Sequence, residues 1–223
     1  MGSKKPTEIP PDLEFDLRIR IWVYENVGPL FHALPEEDPA EDSSSAGQLK
    51  ETPLDRRMTA YSRTLEAIES LLELFPIKDR KKAESEMVRL FVNARGGIPA
   101  PPYASWYIDG KLLGPATEWV AERYREQGLD ASGANEPVDF ITTEFEFMEY
   151  LCRHELAARQ TGDQGALERV LATEARFVGE HLTRWLPGFA RAIRKGEPIP
   201  LFARLARILE VFVEEEGARS FDN

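Results

Sequence analysis

An all-α chain is the fold class this sequence predicts, and three observations predict it. Apolar residues return at intervals of three and four along most of the length. Strand-type alternation is nearly absent. Prolines and glycines punctuate the periodic stretches. With 223 residues the chain fits one large domain or two small helical halves.

Residues 1–12 are polar and Pro-rich and are expected to fray. Leu13, Leu17, Ile21, Tyr24 and Val27 predict a helix within 13–34, which Gly28-Pro29 breaks near its end. Residues 35–53 combine prolines, acids and Ser43-Ser44-Ser45 and read as a mobile loop. Leu65, Ile68, Leu72 and Phe75 mark a helix over 54–75 that Pro76 ends, and Asp79 is placed to cap another through about Asn93.

Gly96-Gly97, Pro99, Pro101 and Pro102 then forbid a long helix. Tyr103, Trp106 and Tyr107 in the same stretch predict that 94–114 is a packed aromatic loop. Pro115 to Gln127 reads as helix, with Gly128 as its stop. Residues 129–135 are small and polar, the natural hinge. Helices follow at about 137–158, 163–184, 186–195 and 200–216. The chain is thereby divided into an N-terminal half at 13–128, the hinge at 129–135, a C-terminal half at 136–216 and a tail at 217–223.

Composition narrows function. Apolar residues make up 42% and charged residues 30%, an ordinary globular balance. A formal net charge of -11 repels phosphates, so nucleic acid is a poor partner. Cys152 is the sole cysteine, which fits a reducing compartment. No apolar run approaches the roughly 20 residues of a membrane span, and Lys4-Lys5 is followed by no apolar signal region. No P-loop, dinucleotide fingerprint, zinc-protease motif or nucleophile elbow is present, and His32, His154, His181 and Cys152 offer no convincing metal spacing. The chain is therefore expected to be no enzyme and to need no cofactor or metal.

The polar residues inside apolar stripes carry more information. Stepping each helix at about 100° per residue puts Glu144 in the middle of an arc formed by Phe140, Ile141, Phe145, Phe147, Met148, Leu151 and Cys152, with Glu155 near the helix end. A buried carboxylate needs a partner, and an Arg from a neighbouring helix is the plainer account. Glu174 and His181 fall inside the next stripe, seven residues apart. Either Glu144 or Glu174 is expected to pair with His181, although a satisfied core histidine would look the same. Glu136-Pro137-Val138-Asp139 reads as a helix start. Proline in the first turn and nearby acids explain it, and an acidic rim beside the hinge is the functional alternative.

Three ordered segments resemble a known family. Leu90-Phe91 followed by Pro101-Pro102-Tyr103-Ala104-Ser105-Trp106-Tyr107 and Gly110-Lys111-Leu112-Leu113-Gly114 is similar to the middle region of the TorD/DmsD-like chaperones. Glu136-Pro137-Val138-Asp139 with Glu144-Phe145-Glu146-Phe147-Met148 resembles their central signature, and His181-Leu182 with Trp185-Leu186-Pro187 and Phe189 their C-terminal one. The resemblance runs from about 86 to 195. It implies a helical chaperone fold of two halves joined by a hinge, without significant sheet. It also implies a cytoplasmic chaperone that binds the twin-arginine signal peptide, or the apo form, of a molybdenum-cofactor oxidoreductase until the cofactor is inserted. Tyr103, Ser105, Tyr107, Gly114, Glu136, Pro137, Asp139, Phe140, Glu144, His181 and Trp185 would then line or support the partner site. Phe140 stands where family members often carry His.

The charge pattern fits that implication: Asp139 and Glu136 would meet the arginines, and the aromatics the apolar stretch. Alternatives are a NarJ-like assembly factor for a molybdoenzyme that is not exported, a nucleotide-binding helical protein, and a plain helical interaction module. Both a monomer and a dimer swapped through the hinge are open.

Overall fold

The computed structural model describes residues 9–35, 59–130 and 136–221. Among these, helices form the whole architecture, and the only pairing of the β kind is an isolated antiparallel bridge between Tyr103 and Phe140. In chain order, α1 is Pro11–Val27, trailed by a 3-10 turn at Pro29–Phe31, and α2 is Ser62–Leu72. Helix α3, Arg80–Met87, ends in a π turn at Val88–Val92. The short α4 is Ala104–Ile108 and α5 is Pro115–Glu126. Helix α6 is Ile141–Thr161. Helix α7, Gln164–Phe177, passes through a second π turn, Val178–Leu182, into α8, Thr183–Lys195. Helix α9 is Pro200–Phe221.

Several ends move for local reasons. Helix α1 starts earlier than expected because Pro11 occupies its first turn, where a missing N–H costs nothing, with Asp12 and Glu14 beside the positive end of the dipole. Asp79 caps α3 as expected, accepting from the Lys82 N–H at 3.0 Å. Gly128, at φ +73, closes α5 with its N–H on the Arg125 carbonyl. The tail expected at 217–223 is helical through Phe221. The loop at 36–53 and the heart of the linker, 131–135, lie outside the described residues.

Helix α9 packs along α8 and α2, α1 lies on α6, and α6 lies on α7. One contiguous apolar cluster results, drawing Trp22, Phe31 and Phe91 from one side of the linker and Phe145, Trp185 and Phe212 from the other. Within it sits a guanidinium. Arg20 of α1, 2% exposed, donates to Glu216 of α9 at 2.6 Å, Glu155 of α6 at 2.7 Å and Glu174 of α7 at 2.5 Å. Arg159 and Arg219 supply further charge to these acids, and the Tyr61 hydroxyl donates to Glu216 at 2.6 Å. Three buried carboxylates are thus matched by three arginines, the condition under which buried charge is tolerable. Glu155 and Glu174, both flagged by their place in apolar stripes, find their answer in one residue of α1.

Candidate functional site

The expected helix start at Pro137 is not one. Phe140 is extended (φ -74, ψ 137) and α6 begins only at Ile141, because the backbone before it is engaged elsewhere. The Ala104 N–H donates to the Asp139 carbonyl and the Ile141 N–H to the Pro102 carbonyl, both at 3.0 Å. These two bonds zip the aromatic loop to the segment 136–141. Pro137 contributes a tight turn, its carbonyl accepting from the Phe140 N–H at 3.0 Å. Three prolines and a double glycine keep the loop from helix until Ala104, and the zip then fixes where the chain turns into α4.

Asp139 occupies the centre of this junction and is fully buried. Its Oδ2 accepts from the Ser105 N–H at 2.8 Å and so caps α4 from a distant part of the chain. Its Oδ1 and the Ser105 hydroxyl, also buried, have no partner. The expected acidic rim is therefore corrected in one half: Asp139 presents no carboxylate to the surface. Glu136 does. It is half-buried and accepts from the Tyr103 hydroxyl at 2.9 Å. Partial burial and that carboxylate push the Tyr103 hydroxyl up to about 12. The Tyr103 ring leans on Phe140, centroids 5.3 Å apart, so Phe140 is a buried support.

Beneath the loop lies a second polar group. Glu144, fully buried, meets His181 Nε2 at 2.7 Å through one oxygen and accepts from Trp185 Nε1 at 3.0 Å through the other. The partner is thus a histidine and an indole, not the arginine of the plainer account. Burial pushes Glu144 up to about 7, against the opposing pull of His181. Trp119 stacks on His181 (5.1 Å, 13°), and Tyr107 stacks on Trp185 (5.9 Å, 28°) with its ring over Gly188. Glu174 and His181 part company because the π turn between them inserts an extra residue into the helical phase. Glu174 swings to Arg20 and His181 to Glu144.

The last of the expected residues, Gly114, precedes α5. Asp109 at the end of α4 accepts from the Ala116 N–H at 2.8 Å and caps α5 across the intervening loop. A Cβ on Gly114 would overlap the Asp109 side chain, so glycine is required by this close approach.

What sequence reasoning left out is the outer face of the loop. Trp106, Leu112 and Leu113 are 44%, 46% and 69% exposed, among few large apolar side chains left uncovered in the described residues. Leu113 sits at φ +56, where a side chain costs about 1–2 kcal/mol, and it is the most exposed of the three. A cleft of ≈ 740 Å³ opens beside them, walled by Arg89, Arg95, Pro99, Tyr103, Trp106 and Leu112. The available signal was the adjacent Leu112-Leu113 between two glycines, too short for any helical stripe to claim.

Together these define a helical protein with a charged keystone and a small zipped loop beside an apolar cleft. The chain belongs to the nitrate reductase delta subunit family, whose model matches residues 56–191, more than half its length. Among its relatives is the chaperone protein TorD of Vibrio cholerae serotype O1, 26% identical over 191 residues, covering 83% of this chain and 84% of that protein. Another is the chaperone protein TorD of Photobacterium profundum, 26% identical over 148 residues, covering 64% of this chain and 67% of that protein. A crystal structure described as a redox enzyme maturation protein of Archaeoglobus fulgidus shares the fold, with a TM-score of 0.50 at 21% identity over 89% of this chain and 93% of that one.

Proposed function

We propose that this protein is a cytoplasmic chaperone for a molybdenum-cofactor oxidoreductase and that it holds the client by its twin-arginine leader until the cofactor is in place. The observation that carries the reading is the pairing of an exposed apolar loop with a surface carboxylate: Trp106, Leu112 and Leu113 stand beside the cleft, and Tyr103 in its wall is bonded to Glu136. An apolar stretch preceded by arginines matches that order of surfaces. Asp139, Ser105 and Phe140 then act from below, holding the loop that makes the contact, while Glu144, His181 and Trp185 form its floor. The relatives named as chaperones support the reading.

The test is calorimetric titration with a synthetic twin-arginine peptide. Trp106→Ala is expected to weaken binding about tenfold or more while leaving the far-UV circular dichroism unchanged, since an exposed anchor carries contact and not stability. Unchanged affinity in that variant would remove the cleft from the contact surface.

A second reading is an assembly factor that engages the enzyme body and not a leader; the family's description, which names a subunit of a reductase, is in keeping with it. Pull-down with the mature catalytic subunit alone, against the leader fused to an unrelated protein, separates the two.

A further inference from the structure

The exposed large apolar side chains of the described residues belong to one stretch of chain. Val88 and Val92, 44% and 58% exposed, stand on the π turn after α3; Trp106, Leu112 and Leu113 stand on the aromatic loop. The chain carries a net charge of -11, yet the frame of this stretch is basic. Arg89 and Arg95 line the cleft together with Trp106 and Leu112, and among the described residues no carboxylate lines it. Arg89 is held by Glu86 at 2.6 and 2.8 Å, whereas Arg95 is exposed and meets no acid among the described residues. Exposed Lys111 directly precedes Leu112-Leu113. The one acid between residues 88 and 113, Asp109, is spent on capping α5.

Helix α8 continues the frame. Residues 183–195 include four cations and no acid, and of these Arg194 alone pairs, with Glu210. Arg184, Arg191 and Lys195 are exposed without a carboxylate partner among the described residues. With Gly188 they fall at steps of four, three and four, on one side of the helix. The Tyr107 ring lies against Gly188, where a Cβ would come within 3.2 Å of it, so this basic side borders α4. Where the helix ends, the Gly196 carbonyl accepts from Arg89 of the cleft wall at 2.7 Å.

We infer that this face docks on an anionic membrane surface, with Trp106, Leu112 and Leu113 entering the headgroup layer and Lys111 and the α8 cations meeting the lipid phosphates. A protein interface keeps charge out of its apolar centre. Here a lysine and two leucines are consecutive, an order that a headgroup layer accepts because the long side chain reaches up to the phosphates while its neighbours go down. The acidic remainder of the molecule is repelled by such a surface, which leaves this face as the one that approaches.

Flotation of the full chain with vesicles tests this, one set of phosphatidylcholine alone and one containing phosphatidylglycerol as well. The anionic set is expected to carry about tenfold more protein at low salt, and added salt to remove the difference. Lys111→Glu is expected to lower binding about tenfold, and the same charge change in Lys78→Glu, at an exposed position ahead of α3, to leave it nearly unchanged. Leu113→Asn removes the apolar group but suits the left-handed backbone, so it is expected to keep the fold by circular dichroism and to lose binding about tenfold. Brominated acyl chains should quench the emission of the full chain and spare that of Trp106→Phe. No flotation, equal flotation with both sets, or equal losses in Lys111→Glu and Lys78→Glu overturns the inference. Capture of the unfloated protein by a polyglutamate peptide, lost in Lys111→Glu, overturns it in favour of an acidic protein partner. The assay contains no leader, so this inference and the leader reading, which share Trp106, fail separately.

Discussion

Glu144 is the residue in which burial and chemistry pull hardest against each other. Its oxygens are used by His181 and Trp185, yet the site gives it no permanent cation. Its carboxyl is therefore raised from 4.5 to about 7, chiefly by desolvation. A folded-state value above the unfolded one means that the folded protein holds the proton more tightly. The corresponding stabilisation is complete below about pH 4.5 and is lost as pH rises through about 7, on the order of 3 kcal/mol in all. Glu144→Gln keeps an acceptor for the indole and has no charge to desolvate. Urea unfolding between pH 5 and 8 should show a clearly shallower decline in that variant, with the share owed to Glu174, also raised to about 7, remaining. Equal slopes in the two proteins would mean that Glu144 is charged throughout that range. The anomaly was legible in the sequence as a Glu in the middle of an apolar arc. His181 was legible as a partner for Glu144 or Glu174; which of the two it takes was not, because a π turn sets its angular position and leaves no mark in residue spacing.

At the scale of the element, α4 is too short to persist by itself: five residues gain few internal hydrogen bonds against a costly nucleus. It exists because the Asp139 carboxylate caps its start, two backbone bonds tie its flank to 136–141, and the Asp109 cap joins its end to α5. Asp139→Ala should therefore cost about 1–2 kcal/mol and speed amide exchange across 103–108, and it should weaken leader binding through the loosened Trp106 platform. Normal exchange protection in 103–108 together with lost binding would instead assign Asp139 a direct contact. The long helices were legible from periodicity because a buried face dictates it. The zipped junction was not. Pro137 followed by acids is a good helix start by every local criterion, and only the prior claim of the aromatic loop on the Asp139 carbonyl and side chain prevents it. The outward cleft was hidden for a similar reason, since its walls, from Arg89 to Leu112, are brought together by the turns of the loop and by no periodic stripe.

At the scale of the molecule, the Arg20 cluster decides how the helices are arranged. A guanidinium that must meet Glu155, Glu174 and Glu216 at once permits one arrangement. Burial and the coulombic pull of Arg20 act against each other on these acids; Glu216 and Glu155 finish below their ordinary value, so their contribution is present above about pH 4.5 and lost as pH falls. Arg20→Met should destabilise the fold by about 3–5 kcal/mol, a large part of the total, and Arg20→Lys should recover only some of it, because an ammonium cannot fork to three carboxylates. Chemical denaturation followed by circular dichroism measures both; a Met variant as stable as the parent would show that the cluster orients nothing. Glu155 and Glu174 stood out in the sequence, whereas Glu216 and Arg20, set among apolar neighbours in α1, did not, because the reason for each lies on other helices.

Arg20 and Glu216 are separated by 196 positions along the chain. A growing polypeptide on the ribosome makes the guanidinium long before the carboxylate that completes its shell. Until then its early helix carries a charge that the collapsing interior cannot accept, and contacts of such long sequence separation form slowly. Closure of the interior is therefore gated by arrival of α9, and a translation product that stops short of it is left open to proteolysis.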